Sequence, residues 1–446
     1  MTKTSLWDDR IKSWRLWFTP GIRVKRYVLS AMLGALIMMI GGIFGILWLV
    51  QANRQIISAP IEDVLVSQGW SRLGGWLSGL TILLGAAIAT IAVALLNSSL
   101  LTRLSSHKRQ TAVILHERLA LSKGPHIVAI GGGTGLSNLL RGLRQHSSNI
   151  TAVVAVSDDG GSSGRLRTAF DMPPPGDLVD CLAALSDLES EVSKLLEYRF
   201  ERGNELKGHT FGNLFITTLT EVEGNFAKAI RVMNSLLNIC GAVYPVSAEA
   251  VSLRVQKDSG QWISGESQVS KIGGSVSRVT IEPKHPALVE EVGLAISEAD
   301  IIVLGPGSLF TSVLPPVLVP EAKQLMLMCK APIIYICNVM TEVGETDHFD
   351  AWRHVEAIAK HLGRYPDWVI VNSTPIDLSR LASYTKEGSE VVKFDAHPFD
   401  IHHVKVAYID VLRDKGPYAQ HDSDKLAKWL ISCAKGQASP YKTPVP

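Results

Sequence analysis

The chain has 446 residues, 46% hydrophobic and 19% charged, enough for one large or two ordinary domains, and a mean hydropathy of +0.17 that points to membrane segments. A net charge of only +2, with no basic stripe studded by aromatic residues, gives no support to nucleic-acid binding. Five cysteines at unrelated spacings, none in a Cys-x-x-Cys pair, indicate neither a zinc site nor a disulfide framework and fit reduced thiols in a cytosolic domain.

The first 26 residues carry Lys3, Arg10, Lys12, Arg15, Arg23, Lys25 and Arg26 against Asp8 and Asp9, a basic cytoplasmic segment of the kind that flanks a membrane. Residues 27–50 and 76–96 contain no charge, and each run reaches the roughly 20 residues needed to cross a bilayer. Two buried helices of a soluble core are the competing reading, but a core helix rarely stays apolar on every face for that length. The first run is also too long for a signal peptide and lacks a small-residue cleavage pattern.

The loop 51–75 holds Arg54 and Arg72, whereas Arg103, Lys108, Arg109, Arg118 and Lys123 follow the second span, so both ends are expected to face the cytoplasm. Gly41 and Gly45, and Gly85 and Ala89, are each four apart, which suits a closely packed hairpin over 27–96 or is simply ordinary membrane composition. Residues 97–124 place Leu100, Leu101, Leu104, Leu115, Leu119 and Leu121 among charges as a helical linker, closed by Lys123-Gly124-Pro125.

From 125 to 436 the pattern becomes α/β. Strands are expected at 126–130, 150–156, 301–304, 332–336 and 368–371, several apolar on both faces as in the middle of a parallel sheet. Helices at 136–144, 177–188, 226–237, 286–299, 350–362 and 423–434 supply the crossovers. Residues 251–283 break the alternation with two β-type runs, 251–255 and 276–281, as an inserted antiparallel hairpin or edge. The tail 437–446 is expected to fray. The expected fold is a Rossmann-like, doubly wound, mostly parallel sheet preceded by a two-helix transmembrane hairpin.

Candidate site residues gather at strand ends. The first strand runs into Gly131-Gly132-Gly133-Thr134-Gly135, where glycine lets the backbone come close to an anion and Thr134 adds a hydroxyl. This is neither a full dinucleotide fingerprint nor a P-loop, and a ligand-free tight turn is its alternative. The second strand ends in Ser157-Asp158-Asp159-Gly160-Gly161-Ser162-Ser163-Gly164, a loop in which Asp158 or Asp159 is placed for ribose hydroxyls or merely caps the turn. Arg165 and Arg167 follow, either to pair a phosphate or to lie solvated.

Asp177 and Asp180, three apart in the first turn of a helix, can hold a divalent metal or orient a substrate hydroxyl, although capping alone favours acids there. Gly208-His209-Thr210-Phe211-Gly212-Asn213 offers His209 and Asn213 as binding candidates in a turn before an apolar helix. Gly305-Pro306-Gly307-Ser308 makes a third strand-end turn, with Ser308, Thr311 and Ser312 as hydroxyl donors for phosphate. After the strand 332–336, Asn338 and Thr341 open a polar loop suited to a base or sugar.

Gly-Gly-Thr-Gly, Ser-Asp-Asp-Gly-Gly-Ser-Ser-Gly, Pro-Pro-Gly-Asp, Gly-His-Thr-Phe-Gly-Asn and Gly-Pro-Gly-Ser-Leu-Phe-Thr-Ser occur in the order that resembles the YvcK and CofD-like superfamily, closely over 126–367. That superfamily holds the bacterial gluconeogenesis-factor proteins and the 2-phospho-L-lactate transferases, and the chain looks like the gluconeogenesis-factor branch. The resemblance implies a regulator that binds a nucleotide sugar of the UDP-N-acetylglucosamine type and acts on gluconeogenic growth, cell-wall synthesis and cell shape. Its implied partners are that ligand, cell-wall synthesis proteins and further copies of itself, with Mg as a candidate companion ion, and the two apolar runs add the bilayer. In the transferase branch, a phospholactyl group moves from a nucleoside diphosphate donor to a deazaflavin, and the acids matching Asp177 and Asp180 lie where acceptor and metal meet. On this reading Gly132 to Gly135 and Gly305 to Ser308 hold the diphosphate, with Asn338 and Thr341 near the base or sugar.

Overall fold

The computed structural model describes residues 24–52, 70–104, 118–186, 189–414, 416 and 418–441. Most of the basic head, the charges Arg54, Lys108 and Arg109, the middle of the linker and the end of the tail lie outside the described residues. The chain divides into two compact units, Met1–Glu117 and Arg118–Pro446.

The first unit contains two long helices, α1 (Val24–Ala52) and α2 (Trp70–Leu104). Within them Arg26–Val50 and Gly74–Leu96 each reach a mean hydropathy of 2.4, yet only 11% of each window is buried. Leu29, Met32, Phe44, Leu80 and Leu83 are more than half exposed, the reverse of a soluble core helix, so both are candidate membrane spans. The buried positions are small and recur every seven residues: Gly34 and Gly41 on α1, Ser78, Gly85 and Ala92 on α2. A Cβ on Gly85 would sit 2.6 Å from the Gly34 carbonyl oxygen, and one on Gly45 2.8 Å from Ser78 Oγ, so the backbones approach as only small residues allow. Gly85→Leu is therefore expected to part the helices, read as a longer distance between spin labels on the exposed positions Leu36 and Leu84. An unchanged distance would show that the small-residue seam does not set the spacing.

The second unit is built on seven parallel strands in the order β10-β9-β8-β7-β1-β2-β3. They are β1 (Ile127–Gly131), β2 (Ile150–Val154), β3 (Ala242–Pro245), β7 (Ile301–Leu304), β8 (Ile333–Ile336), β9 (Trp368–Asn372) and β10 (Lys405–Ile409). Between β3 and β7 the chain makes a small antiparallel sheet, β5-β4-β6, from β4 (Ser252–Lys257), β5 (Trp262–Ser264) and β6 (Val276–Glu282). Alternate residues of the large sheet enter two separate cores: Val128, Ile130, Ile302 and Leu304 on one face, Ile127, Ala129, Ile301 and Val303 on the other. A parallel sheet covered on both faces explains why these strands read as unbroken apolar runs.

The chain leaves β1 through β2 to β3, returns to β7 at the other side of β1, and then continues outward to β10. This reversal between β1 and β7 is the switch point of a doubly wound sheet, where the connections diverge and open a crevice at the strand carboxyl ends.

Four details differ from the sequence reading, the first being that β5 turns the hairpin or edge expected over 251–283 into a three-stranded sheet. The edge strands β3 and β10 were not expected: each has one neighbour and is only partly buried, and their apolar runs are short, Ala242–Pro245 in β3 and Val406 to Ile409 in β10. The segment expected as a Gly-Gly-Ser-Ser-Gly loop is instead the start of a helix, Gly161–Phe170. Strand β2 ends at Val154 rather than 156, because the chain must peel away to form the Asp158 turn.

Candidate functional site

Strand β1 delivers Gly132 in extended conformation and Gly133 at φ 58, from which helix α3 (Gly133–Leu143) rises with its first N–H groups free of helix partners. Strand β7 delivers Gly305 at φ 82 and Gly307 at φ 156, followed by one turn of π-helix, Leu309–Val313, in which Val313 N–H reaches Ser308 O at 3.0 Å. The two turns abut: a Cβ on Gly135 would strike the Pro306 carbonyl, and one on Gly307 would sit 3.6 Å from Gly132 O. They open onto a cleft of about 380 Å³ at the switch point.

Of the residues expected at the site, Gly132, Gly133, Thr134, Gly135, Gly307, Ser308, Asn338 and Thr341 line this cleft, as does Ser312. Gly305 shapes the turn without lining it. Ser308 spends its hydroxyl on Glu342, Thr311 Oγ1 donates to Glu345 at 3.5 Å, and Thr341 Oγ1 accepts Glu390 N–H at 2.8 Å. Anion contacts in the cleft therefore fall to backbone amides more than to the Ser308 and Thr311 hydroxyls, while Thr341, which only accepts from Glu390, keeps its O–H to donate.

The remaining expected residues form a second polar network beside the cleft. In helix α4 (Gly161–Phe170), Ser162 Oγ meets His209 Nδ1 at 2.9 Å, and Asn213, at the start of helix 211–223, donates to Ser162 at 3.1 Å and Ser163 at 3.5 Å. Arg165 Nε donates to His209 Nε2 at 3.4 Å, which makes Nδ1 the protonated nitrogen. Burial, then Arg165 and Arg199, push the His209 pKa down and keep the ring neutral. Asp158 Oδ1 accepts Gly160 N–H at 2.7 Å and bonds Ser163, while Asp159 Oδ1 accepts Ser267 N–H from the small sheet at 2.8 Å.

Asp177, in helix α5 (Gly176–Leu185), links the two groups, for its carboxylate accepts Gly133 N–H and packs against Gly132. Burial, with the charges of Asp158 and Asp180, pushes its pKa up to about 7. Asp180 lies one turn further on and rises to about 6 through burial and Glu197, opposed by Arg141. Glu266, from the small sheet's short helix Glu266–Val269, is pushed up to about 9 by burial and by the surrounding carboxylates, Asp158 first. Glu345 is fully shielded beside Glu342 and held well above the usual range by burial and that neighbour, while its Oε1 accepts Phe310 N–H at 2.6 Å. Among the described residues no three His, Cys, Asp or Glu side chains converge on a metal position. A cation at Asp177 would need ligand oxygens to complete its shell.

Glu266, Glu345, Gln420 and His421 belong to the site or its wall but were not singled out in sequence. Glu345 stands in the polar loop that begins at Asn338 and was within reach of the same reasoning. Gln420 and His421 lie in a segment with no glycine motif or strand-end position to mark them, while Glu266 follows Gly265 at the end of β5, a strand of three residues too short to read as one in sequence.

The family of 2-phospho-L-lactate transferase CofD matches residues 127–412. A putative gluconeogenesis factor of Deinococcus radiodurans is 37% identical over 98% of this chain and 92% of its own length. The gluconeogenesis factor of Bacillus subtilis is 41% identical over 71% of this chain and all of its own. A crystal structure of a Bacillus halodurans protein superposes with a TM-score of 0.67 at 42% identity, covering 69% of this chain and 99% of that one. With the parallel sheet, the paired glycine turns and these relatives together, the chain belongs to the CofD-like family, in its gluconeogenesis-factor branch.

Proposed function

We propose that the chain is a membrane-tethered regulator that binds a nucleotide sugar of the UDP-N-acetylglucosamine type on the cytoplasmic side and adjusts cell-wall synthesis and cell shape to gluconeogenic growth. The observation that carries the ligand class is the pairing of two glycine turns, from β1 and β7, around one cleft at the switch point. The helix N-terminus beyond Gly133, whose N–H Asp177 already holds, favours a diphosphate there, while Asn338 offers neutral hydrogen bonding for the rest of the ligand. The name borne by the relatives supports the regulatory half, and the two exposed apolar helices support the tether.

Isothermal titration of the full chain in detergent micelles tests the reading. Heat with UDP-N-acetylglucosamine is the expected result; no heat with any UDP-sugar, while GDP derivatives bind, overturns it.

Asp177 favours a second reading, transfer of a phosphate-linked group, because a carboxyl titrating near 7 beside an anion cleft can exchange a proton with a substrate. Its titration has a definite sign. The folded state holds a proton that the unfolded state releases above its ordinary 3.8, so this group's contribution to stability is complete below about 4 and is lost as pH rises through about 7. Diphosphate affinity should fall over the same upper range, by on the order of tenfold once Asp177 is ionised. In Asp177→Asn the step near pH 7 should vanish from the affinity profile. A step that survives assigns it to another group, and full cellular function of the variant argues against transfer chemistry.

A further inference from the structure

The ligand cleft extends from the switch point toward the end of β8, one strand beyond β7 and so about 5 Å along the sheet edge. Here the Cys337 carbonyl lies 3.2 Å from His421 Nε2. A carbonyl oxygen only accepts, so Nε2 carries the proton. Burial pushes the imidazole pKa down to about 4, and the ring stays neutral at physiological pH. Nδ1 is thereby left as a bare lone pair. Among the described residues nothing in the chain donates to it, and His421 lines the cleft beside Gln420 and Asn338.

The neighbouring groups are fixed by similar reasoning. Asn338 Nδ2 donates to Glu342 Oε1 at 3.1 Å, so Asn338 Oδ1 is a second acceptor, one residue from the carbonyl that sets His421. Gln420 Oε1 accepts Arg413 Nη1 at 3.3 Å, leaving the Gln420 amide N–H groups as donors. The β8 end of the cleft thus presents two uncharged acceptors, in contrast to the amide donors of the glycine turns.

We propose that His421 is a specificity-determining residue whose Nδ1 accepts a hydrogen bond from an N–H or O–H group on the non-phosphate part of the ligand. The inference rests on the nucleotide-sugar reading and sharpens it. A head group carrying a hydrogen-bond donor is accepted; a carbonyl or an anion in that place meets a lone pair and is rejected. Two sources supply such a donor, the imide N–H of a uracil base and the hydroxyls of a sugar.

The test titrates the full chain in detergent micelles with UDP-N-acetylglucosamine, UDP and N3-methyl-UDP, using the natural protein, His421→Phe and His421→Gln. If the base is read, the natural protein binds N3-methyl-UDP about tenfold more weakly than UDP; if the sugar is read, that loss appears between UDP-N-acetylglucosamine and UDP. In His421→Phe the corresponding difference should disappear. His421→Gln can still donate to Cys337 and accept from the ligand, and should restore most of it. Equal weakening of all three probes by His421→Phe, or none, overturns the assignment and leaves His421 a packing residue. A natural protein that binds none of the probes removes the nucleotide-sugar reading, and this inference with it.

Discussion

Gly135→Ala is expected to abolish measurable ligand binding and to lower stability by about 1–3 kcal/mol, the usual cost of forcing extra volume into a packed interior. The new Cβ would lie 2.8 Å from the Pro306 carbonyl carbon and nearer still to its oxygen, and neither is a flexible side chain that can swing aside. Helix α3 cannot retreat either. Leu136, Leu139, Leu140 and Leu143 are fully buried beneath it, and Gly142 packs on the Ser423 backbone. The strain must part the two glycine turns, and the amides they aim into the cleft part with them. Gly224→Ala, at the end of helix 211–223 and outside the cleft lining, is the control: φ 63 strains an alanine by roughly 1–2 kcal/mol, but nothing lies within 4 Å of its Cβ. Thermal melts and titrations of both variants should therefore show similar stability losses and very different affinities. Unchanged affinity in Gly135→Ala would show that contact between the turns does not shape the site.

Lys257→Met is expected to produce the largest loss of stability. Lys257 ends β4 with 2% of its surface exposed, and its Nζ donates to Val269 O at 3.0 Å, Gly274 O at 2.9 Å and Gly344 O. Each carbonyl left buried without a donor costs about 1–3 kcal/mol, offset in part because methionine brings no charge to desolvate, for a net of roughly 3 kcal/mol or more. The effect should reach the cleft. Gly344 belongs to the loop whose Glu345 holds Phe310 N–H in the π-turn, and Val276 and Ser275 of the small sheet bind the same loop through Glu345 O and Asp347 O. The inserted sheet thus braces the site loop. A melt lowered by less than about 3 °C, with affinity intact, would show that the brace is dispensable.

The contrast between what was and was not legible follows these contacts. The apolar runs of β1, β7 and β8, and of α1 and α2, announce themselves because an element surrounded on all sides by protein or apolar medium needs no polar face. The glycine turns are equally plain, since no other residue type tolerates both a positive φ and a neighbouring backbone at van der Waals distance. The two acids written side by side, Asp158 and Asp159, gave no hint that one turns to its own loop while the other holds Ser267, 108 residues away. The helix beginning at Gly161 was hidden by glycine and serine, poor helix formers whose side chains Ser162 and Ser163 gain their place from His209, Asn213 and Asp158.

Local chemistry, then, let the sequence determine the membrane-length helices, the apolar strands of a parallel sheet and the strand-end glycine turns, because each is set by residues within one helix, strand or turn. Tertiary structure alone decided which acids are pushed toward the neutral form, which hydroxyls are already spent and which nitrogen of His421 carries the proton. Those properties are set by desolvation and by partners far along the chain, such as Gly344 for Lys257, 87 residues on, and Cys337 for His421, 84 residues back.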